Sequence, residues 1–286
     1  MALTAGADYS LTRGVPRLGV PAILLVDGPH GLRRQRRTKR YEASSVPATC
    51  FPTASALAVT WDLALIEEVG VALGEEARAE GVSVLLGPAA NIKRTPLCGR
   101  NFEYFSEDPY VSSRLAAAWI RGVQSTGVGA SLKHFAANNI EARRYSVDSL
   151  VDERALREIY LASFENAVRS ARPATVMAAY NRLNGRFCTD NPTLLTTVLR
   201  EEWGFDGVVV SDWGATNGRA ASLASGMDLS MPGLSGADDG DVTAALRDGR
   251  LSTGRAGPGR RCDAASGRAD RGRPHPRPHL RHRRPP

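Results

Sequence analysis

Across residues 22–250 short apolar runs alternate with amphipathic stretches of helical spacing. Parallel strands need such a crossover to return the chain, so the alternation predicts repeated βα units around a parallel sheet. Strands are expected at residues 22–26, 53–57, 82–86, 129–132, 175–178, 208–210 and 228–230. Helices are expected over 63–80, where Leu65, Ile66, Val69 and Leu73 share one side, over 108–125 behind an Asp108 cap and Pro109, over 152–170, and from Asn191-Pro192 to about Gly204. A last helix would start near Asp238. Seven strands emerge, and a complete barrel has eight. The fold class read from this pattern is α/β, a TIM-like (β/α)8 barrel whose first and last βα units are incomplete or irregular. Residues 33–45 are basic and unpatterned where the first helix belongs, and the last helix runs into an abrupt change of composition. No repeat of 20 to 50 residues is present, which disfavours solenoids and propellers.

The chain has 286 residues and a formal charge of +7. From Gly254 onward there are ten arginines and two aspartates, which leaves the preceding part at −1. The basic character belongs to the tail, so a nucleic-acid partner is not expected, and an arginine-tail binder ranks last among the readings. Residues 1–252 are expected to form the barrel. Residues 253–286, rich in Arg, Pro and Gly and without periodicity, are expected to be a disordered tail. Four scattered cysteines without CxxC spacing indicate neither a metal site nor a disulfide framework, and no cofactor is implied. With no run of about 18 apolar residues and no leader pattern at the start, the chain reads as cytoplasmic and without a membrane partner.

Polar residues collect just after the expected strands: Asp27 after the first, Arg100, Asn101 and Glu103 after the third, Lys133 and His134 after the fourth, Tyr180 and Asn181 after the fifth, Asp212 and Trp213 after Val208–Val210. In a parallel barrel these ends converge on the rim that carries chemistry. Each has an ordinary alternative. Asp212 could cap a helix, Asp27 could hold a turn before Gly28-Pro29, and Arg100 with Glu103 could staple a loop. Lys133 could be a snorkelling surface residue, although it is one of only three lysines, His134 could be a core histidine, and Arg144 a solvated loop charge. Taken together, the mixture of acids, bases and amides suits a neutral polyhydroxylated ligand, whose hydroxyls both donate and accept. A phosphate site would be Gly-rich or purely cationic, and neither GxGxxG nor GxxxxGKS is present.

The segments DGPHG, GRNFEYFSEDP, LKHFAANN, MAAYNRLNG, LREEWGFDGVVVSDWGA and GMDLSMPG, in this order, resemble the N-terminal barrel domain of glycoside hydrolase family 3, the β-glucosidase group. The resemblance implies Asp212 as catalytic nucleophile. It implies Asp27, Arg100, Lys133, His134, Arg144 and Tyr180 as residues gripping the sugar, with Met177 and Trp213 as walls. It further implies a retaining mechanism on a small-molecule or oligosaccharide β-glucoside, in which Lys133 and Arg144 keep Asp212 ionised.

Two departures bear on activity. The family's β-glucosidases take their acid/base glutamate from a second domain. The single-domain branch instead carries a histidine in a KHFPGHG-type loop, where this chain reads KHFAANN. A complementing chain carrying the acid/base domain is therefore an expected partner. The loss of patterning at residues 252–254 reads as a frameshift or truncation. The alternatives to β-glucosidase are a catalytically impaired, sugar-binding remnant, and a β-xylosidase or α-arabinofuranosidase of the same family.

Overall fold

A computed structural model of the protein describes residues 2–35, 45–233 and 239–252. Its centre is a five-stranded parallel sheet made of β1 (Leu25–Asp27), β2 (Val84–Leu86), β3 (Gly129–Phe135), β5 (Thr175–Ala178) and β8 (Val208–Ser211), hydrogen-bonded in that order. The register sets Asp27 opposite Leu86, Ser131 opposite Thr175, and Ala178 opposite Ser211. The sheet curls into a half-barrel, and the reason is legible in its side chains. Leu25, Val84, Leu86, Met177 and Val210 form one small buried cluster, whereas their strand neighbours Val26, Leu85, Val176 and Val209 belong to the large one. Period-two alternation thus gives every strand two buried faces, which is why the strands read as unbroken apolar runs.

The large cluster is covered by helices. These are α2 (Leu63–Ala79), α3 (Pro109–Ser125) and α5 (Ala162–Ala171), which contribute Ile66, Leu73, Trp119, Ile120, Val123 and Phe164. Asp62 starts α2 by accepting from the Ala64 and Leu65 amides, and Asp108 starts α3 by accepting from the Val111 amide. Helices α2 and α3 touch backbone to backbone, because a β-carbon at Gly122 would lie 2.1 Å from the Glu67 carbonyl oxygen. A small second sheet joins β4 (Asp148–Ser149) to β6 (Arg182–Leu183), which turns back into β7 (Arg186–Phe187). It ties the loop that follows β3 to the loop that follows β5.

Several expectations change. Residues 53–57, expected as a strand, form helix α1 (Ala54–Ala58). Thr53 caps it through Oγ1 to the Ala56 amide, and His30 Nε2 accepts from the Ala54 amide. A short apolar run has no period that distinguishes strand from helix, and here the cap decides. The helix expected over 152–170 is interrupted by π-helical turns at Leu156–Tyr160, whose extra residue keeps Leu156, Leu161 and Phe164 on the buried side. Asn191 caps as expected, but Thr193–Glu202 is also wound as a π-helix.

Residues 228–230 are no regular strand. Leu229 bridges to Val210 and Ser230 to Ala5, while the Asp228 carboxylate accepts from the Val209 amide at 2.8 Å and from Arg200 at 2.5 Å. Beyond them the N-terminal arm carries pairing back to β1, through Gly6 with Thr12 and Leu11 with Leu24, both antiparallel. The last helix is described as α7 (Asp239–Arg247), and its expected start at Asp238 lies outside the described residues. Residues 36–44, most of the stretch expected to lack the first helix, and the tail from 253 onward lie outside the described residues.

Substituting Gly122 tests the α2–α3 contact. Gly122→Ala is expected to destabilise by about 1–3 kcal/mol in urea unfolding, since overpacking against rigid backbone has few ways to relax. Gly240→Ala in the first turn of α7 meets nothing within 4 Å and should be neutral or slightly stabilising.

Candidate active site

The ends of β1, β3 and β8 and the loops after β2, β3 and β5 bring together the residues singled out in the sequence. Asp212 directly follows β8. Its amide donates to the Ala178 carbonyl at 2.9 Å, which continues the ladder by one step and fixes the carboxylate at the sheet's end. Its Oδ1 accepts from the Trp213 amide at 2.8 Å. The other oxygen, Oδ2, has no hydrogen-bond partner among the described residues and lies 3.6 Å from His134 Nε2. Burial raises the Asp212 carboxyl above the usual range, against the opposing pull of Arg100, Lys133 and the Trp213 N–H.

Lys133 and His134 lie within β3 rather than after it. Lys133 is 3% exposed, and its ammonium donates to Asp27 Oδ1 at 2.8 Å with Glu103 Oε2 at 3.9 Å. Burial works against the charge of Asp27, but the Lys133 ammonium and its hydrogen bond, with Arg33 nearby, hold the carboxyl below its ordinary value. The chemistry of a buried ammonium explains the lysine: it must be paired, and the partners come from the end of β1 and from the loop after β2.

Arg100 and Glu103 flank a short 3-10 turn (Asn101–Glu103). Arg100 donates through Nε to Glu103 and through a terminal nitrogen to His134 Nε2 at 2.8 Å. A guanidinium can only donate, so Nε2 is the accepting nitrogen and Nδ1 carries the proton. Burial, with Arg100, Lys133 and Arg144 around it, keeps His134 well below its ordinary pKa and therefore neutral. Asn91 holds the His134 backbone at both ends, accepting from its amide at 2.8 Å and donating to its carbonyl at 2.9 Å. Asn101 turns away and donates to the Thr95 carbonyl, and Asn181 donates to the Ala136 carbonyl.

Arg144 stands apart from Asp212. It donates to Glu141 Oε2 at 2.9 Å and lies over the Tyr180 ring at 4.6 Å and the Tyr145 ring at 5.2 Å. The leading cations acting on Asp212 are Arg100 and Lys133, and they moderate the effect of burial without overcoming it. Tyr180 donates to the Trp213 carbonyl at 2.9 Å, which locks the tryptophan backbone. Burial and the adjacent Asp212 raise the phenol's pKa. Met177 is buried in the inner cluster with Val210 and Met231, and Trp213 packs against that cluster from above. The two expected walls therefore share one apolar cluster.

Four contributors escape the sequence reading. Glu141 pairs with Arg144 and reaches Arg100 at 3.8 Å, and its i,i+3 spacing to Arg144 is the one signal that could have found it. Asn91, Tyr145 and Tyr9 give no such signal. The Tyr9 carbonyl accepts from Trp213 Nε1 at 2.7 Å across more than 200 residues of chain. Among the described residues no group of three or more His, Cys, Asp or Glu could hold a metal ion, and no helix is long and apolar enough to cross a membrane.

Residues 4–236 match the glycosyl hydrolase family 3 N terminal domain. The chain is 62% identical over 252 residues to thermostable beta-glucosidase B of Acetivibrio thermocellus, covering 87% of this chain and 33% of that protein. It is 51% identical over 253 residues to an exo-alpha-(1->6)-L-arabinopyranosidase of Bifidobacterium longum, again over 87% of this chain and 33% of the relative. Beta-glucosidase 3B from Thermotoga neapolitana, solved in complex with alpha-D-glucose, superposes with a TM-score of 0.84 at 46% identity, covering 92% of this chain and 39% of that one. The chain spans about a third of the length of these curated relatives. With one family profile over most of the described residues and a relative 62% identical over 87% of the chain, the chain belongs to glycosyl hydrolase family 3, residues 4–236 corresponding to its N-terminal domain.

Proposed function

We propose that this chain binds the non-reducing glucose unit of a β-glucoside and supplies the nucleophile, Asp212, of a retaining hydrolysis. The observation that carries the reading is the Asp212 carboxylate itself. One oxygen is held by the Trp213 amide, and the other is buried, unbonded and beside Arg100, Lys133 and His134. A carboxylate pinned by one oxygen and bare on the other is oriented to attack an electrophilic carbon with little reorganisation. The surrounding set of Asp27, Lys133, His134, Arg100, Arg144 and Tyr180 offers both acceptors and donors to sugar hydroxyls, with Trp213 over Met177 as an apolar floor. The relatives named beta-glucosidase and the neighbour solved with glucose favour glucose in that pocket. The pairings through residues 229–230 and the N-terminal arm support reading the curled sheet as a closed barrel with an irregular closing quarter.

In this mechanism Asp212 Oδ2 bonds to the anomeric carbon as the C1–O bond to the leaving group breaks, giving a glycosyl ester that water then hydrolyses. Arg100 and Lys133 keep a population of Asp212 ionised against the cost of burial. The leaving oxygen needs a proton. Asp27 is held ionised by Lys133, and Glu103 is engaged by Arg100 with Lys133 nearby, so neither is suited to donate one. The acid/base is therefore assigned outside the described residues, with a complementing chain as one source. That same observation favours a second reading, a sugar-binding domain that turns over only activated substrates.

Leaving-group chemistry separates these readings. With the 286-residue chain, release from 2,4-dinitrophenyl β-glucoside should exceed release from 4-nitrophenyl β-glucoside by about 100-fold or more, because the better leaving group needs no proton. A 2-fluoroglucoside with an activated leaving group should trap an ester on Asp212, read by peptide mass. Failure to label Asp212 while glucose still binds leaves the sugar-binding reading, and absence of both sinks the proposal.

Charge and burial at Asp212 also predict a stability effect. Its folded-state pKa is raised, so folding favours the protonated acid, and ionisation above that pKa weakens the fold. Asp212→Asn should therefore be more stable than the parent at pH 7, by about 1 kcal/mol or about 2–4 °C in Tm. The gain should vanish in acid, below the unfolded-state pKa of the aspartate, and is measured by thermal melts across pH.

A further inference from the structure

The N-terminal arm is placed against the site more firmly than a chain end requires. Asp8 Oδ1 accepts from the amides of Ser10 and Leu11, both at 2.8 Å, closing a tight turn around Tyr9. The turn is anchored on both sides. Gly6 donates to the Ser230 carbonyl at 3.0 Å and Gly233 donates to the Asp8 carbonyl at 2.9 Å, while Leu25 in β1 donates to the Ser10 carbonyl at 2.9 Å. At its tip the Tyr9 carbonyl receives the Trp213 indole N–H at 2.7 Å, and the phenol ring stands 6.4 Å from the Trp213 ring at 59°. Tyr9 nevertheless keeps 54% of its surface exposed. An aromatic ring held by its own backbone in a rigid turn, beside another aromatic and still half open, is a preformed stacking surface.

The distribution of charge says what it faces. Lys133, Asp27, Glu103, Arg100 and His134 come from β1, β3 and the loop after β2. Trp213 directly follows Asp212 and Tyr9 stands beside it, where β8 gives way to the arm, and neither belongs to that charged group. A sugar gripped through its hydroxyls by the first group leaves the aromatic pair beside Asp212 to the substituent on its anomeric carbon. Resting on the glycoside reading above, we propose that Tyr9 is a specificity-determining residue on the leaving-group side, where its ring supports a second sugar ring or an aryl group beside Trp213.

The test uses two ligands that share glucose, glucose itself and the non-hydrolysable phenyl β-thioglucoside, titrated calorimetrically into the full chain. Tyr9→Ala should weaken the thioglucoside by about threefold to tenfold, the scale of one aromatic contact, and leave glucose affinity unchanged. Tyr9→Leu, which keeps bulk without a ring, should behave as the alanine variant does, and it carries the test if Tyr9→Ala does not fold. Tyr9→Phe should restore thioglucoside binding. Equal weakening of both ligands would mark a purely structural arm and overturn the proposal, as would no change in either. Parent protein that binds neither ligand overturns the glycoside reading itself, and this inference with it.

Discussion

The arrangement of the site depends on one buried ammonium. Lys133 sits within the longest strand of the sheet, where both faces are covered, and a lone charge there would cost several kcal/mol. Its hydrogen bond to Asp27 ties the end of β1 to β3 across the intervening β2, and its approach to Glu103 draws in the loop that follows β2. Glu103 in turn engages Arg100, and Arg100 donates to His134, the next residue along β3 from the lysine. A loop of this length would otherwise have little reason to adopt one conformation over the sheet's end. The pairing of one cation therefore orders the polar groups of the site.

The same bookkeeping of charge explains why Asp212 differs from its neighbours. Lys133 and Arg33 face Asp27, Arg100 faces Glu103 and Arg144 faces Glu141, so the cations of the site are paired with carboxylates other than Asp212. Those three carboxylates have cations within hydrogen-bonding reach. Asp212 has the Trp213 amide on one oxygen, the Tyr180 hydroxyl beside the carboxyl and, from Arg100 and Lys133, only longer-range attraction. It is the residue left without a dedicated counter-charge, and burial consequently raises its pKa where that of Asp27 falls. A paired carboxylate is a poor nucleophile because its lone pairs are already engaged, so incomplete pairing at Asp212 is what the role proposed for it would need.

Local pattern was a good guide where one physical cause acts alone. Helix α3 begins at Pro109 behind Asp108 and ends at Ser125 as the cap and the apolar spacing dictate, and β5 spans Thr175–Ala178 because its apolar run is bounded on both sides. The positions of the candidate residues Asp27, Lys133 and Asp212 are legible for a related reason, since each stands at or near the end of an apolar strand. Legibility failed where contacts distant in sequence decide. Residues 54–58 became a helix because His30, more than twenty positions earlier, accepts from the Ala54 amide. The setting of Arg144 is of the same kind, since beyond the i,i+3 spacing to Glu141 nothing in its sequence context announces the faces of the two tyrosines that it packs against.

Ser211 shows how the sheet and the site are made by the same atoms. The segment after α6 (Arg219–Ser225) carries Leu229 and Met231 back alongside β8, yet only one residue pair there makes a regular bridge. The Ser211 hydroxyl replaces the missing ladder, accepting from the Met231 amide at 2.9 Å and donating to the Met231 carbonyl at 3.2 Å, while the Gly214 amide reaches the same carbonyl at 2.8 Å. A side chain able to donate and accept at once is required, which restricts the position to a small hydroxyl residue. Its neighbours in sequence then follow: Asp212 projects from the end so fixed, and Trp213 lies over Met177 and Met231 because that end cannot move. The placement of the carboxylate is thus set by how the sheet continues past β8, and the residue that continues it is the one immediately before the acid.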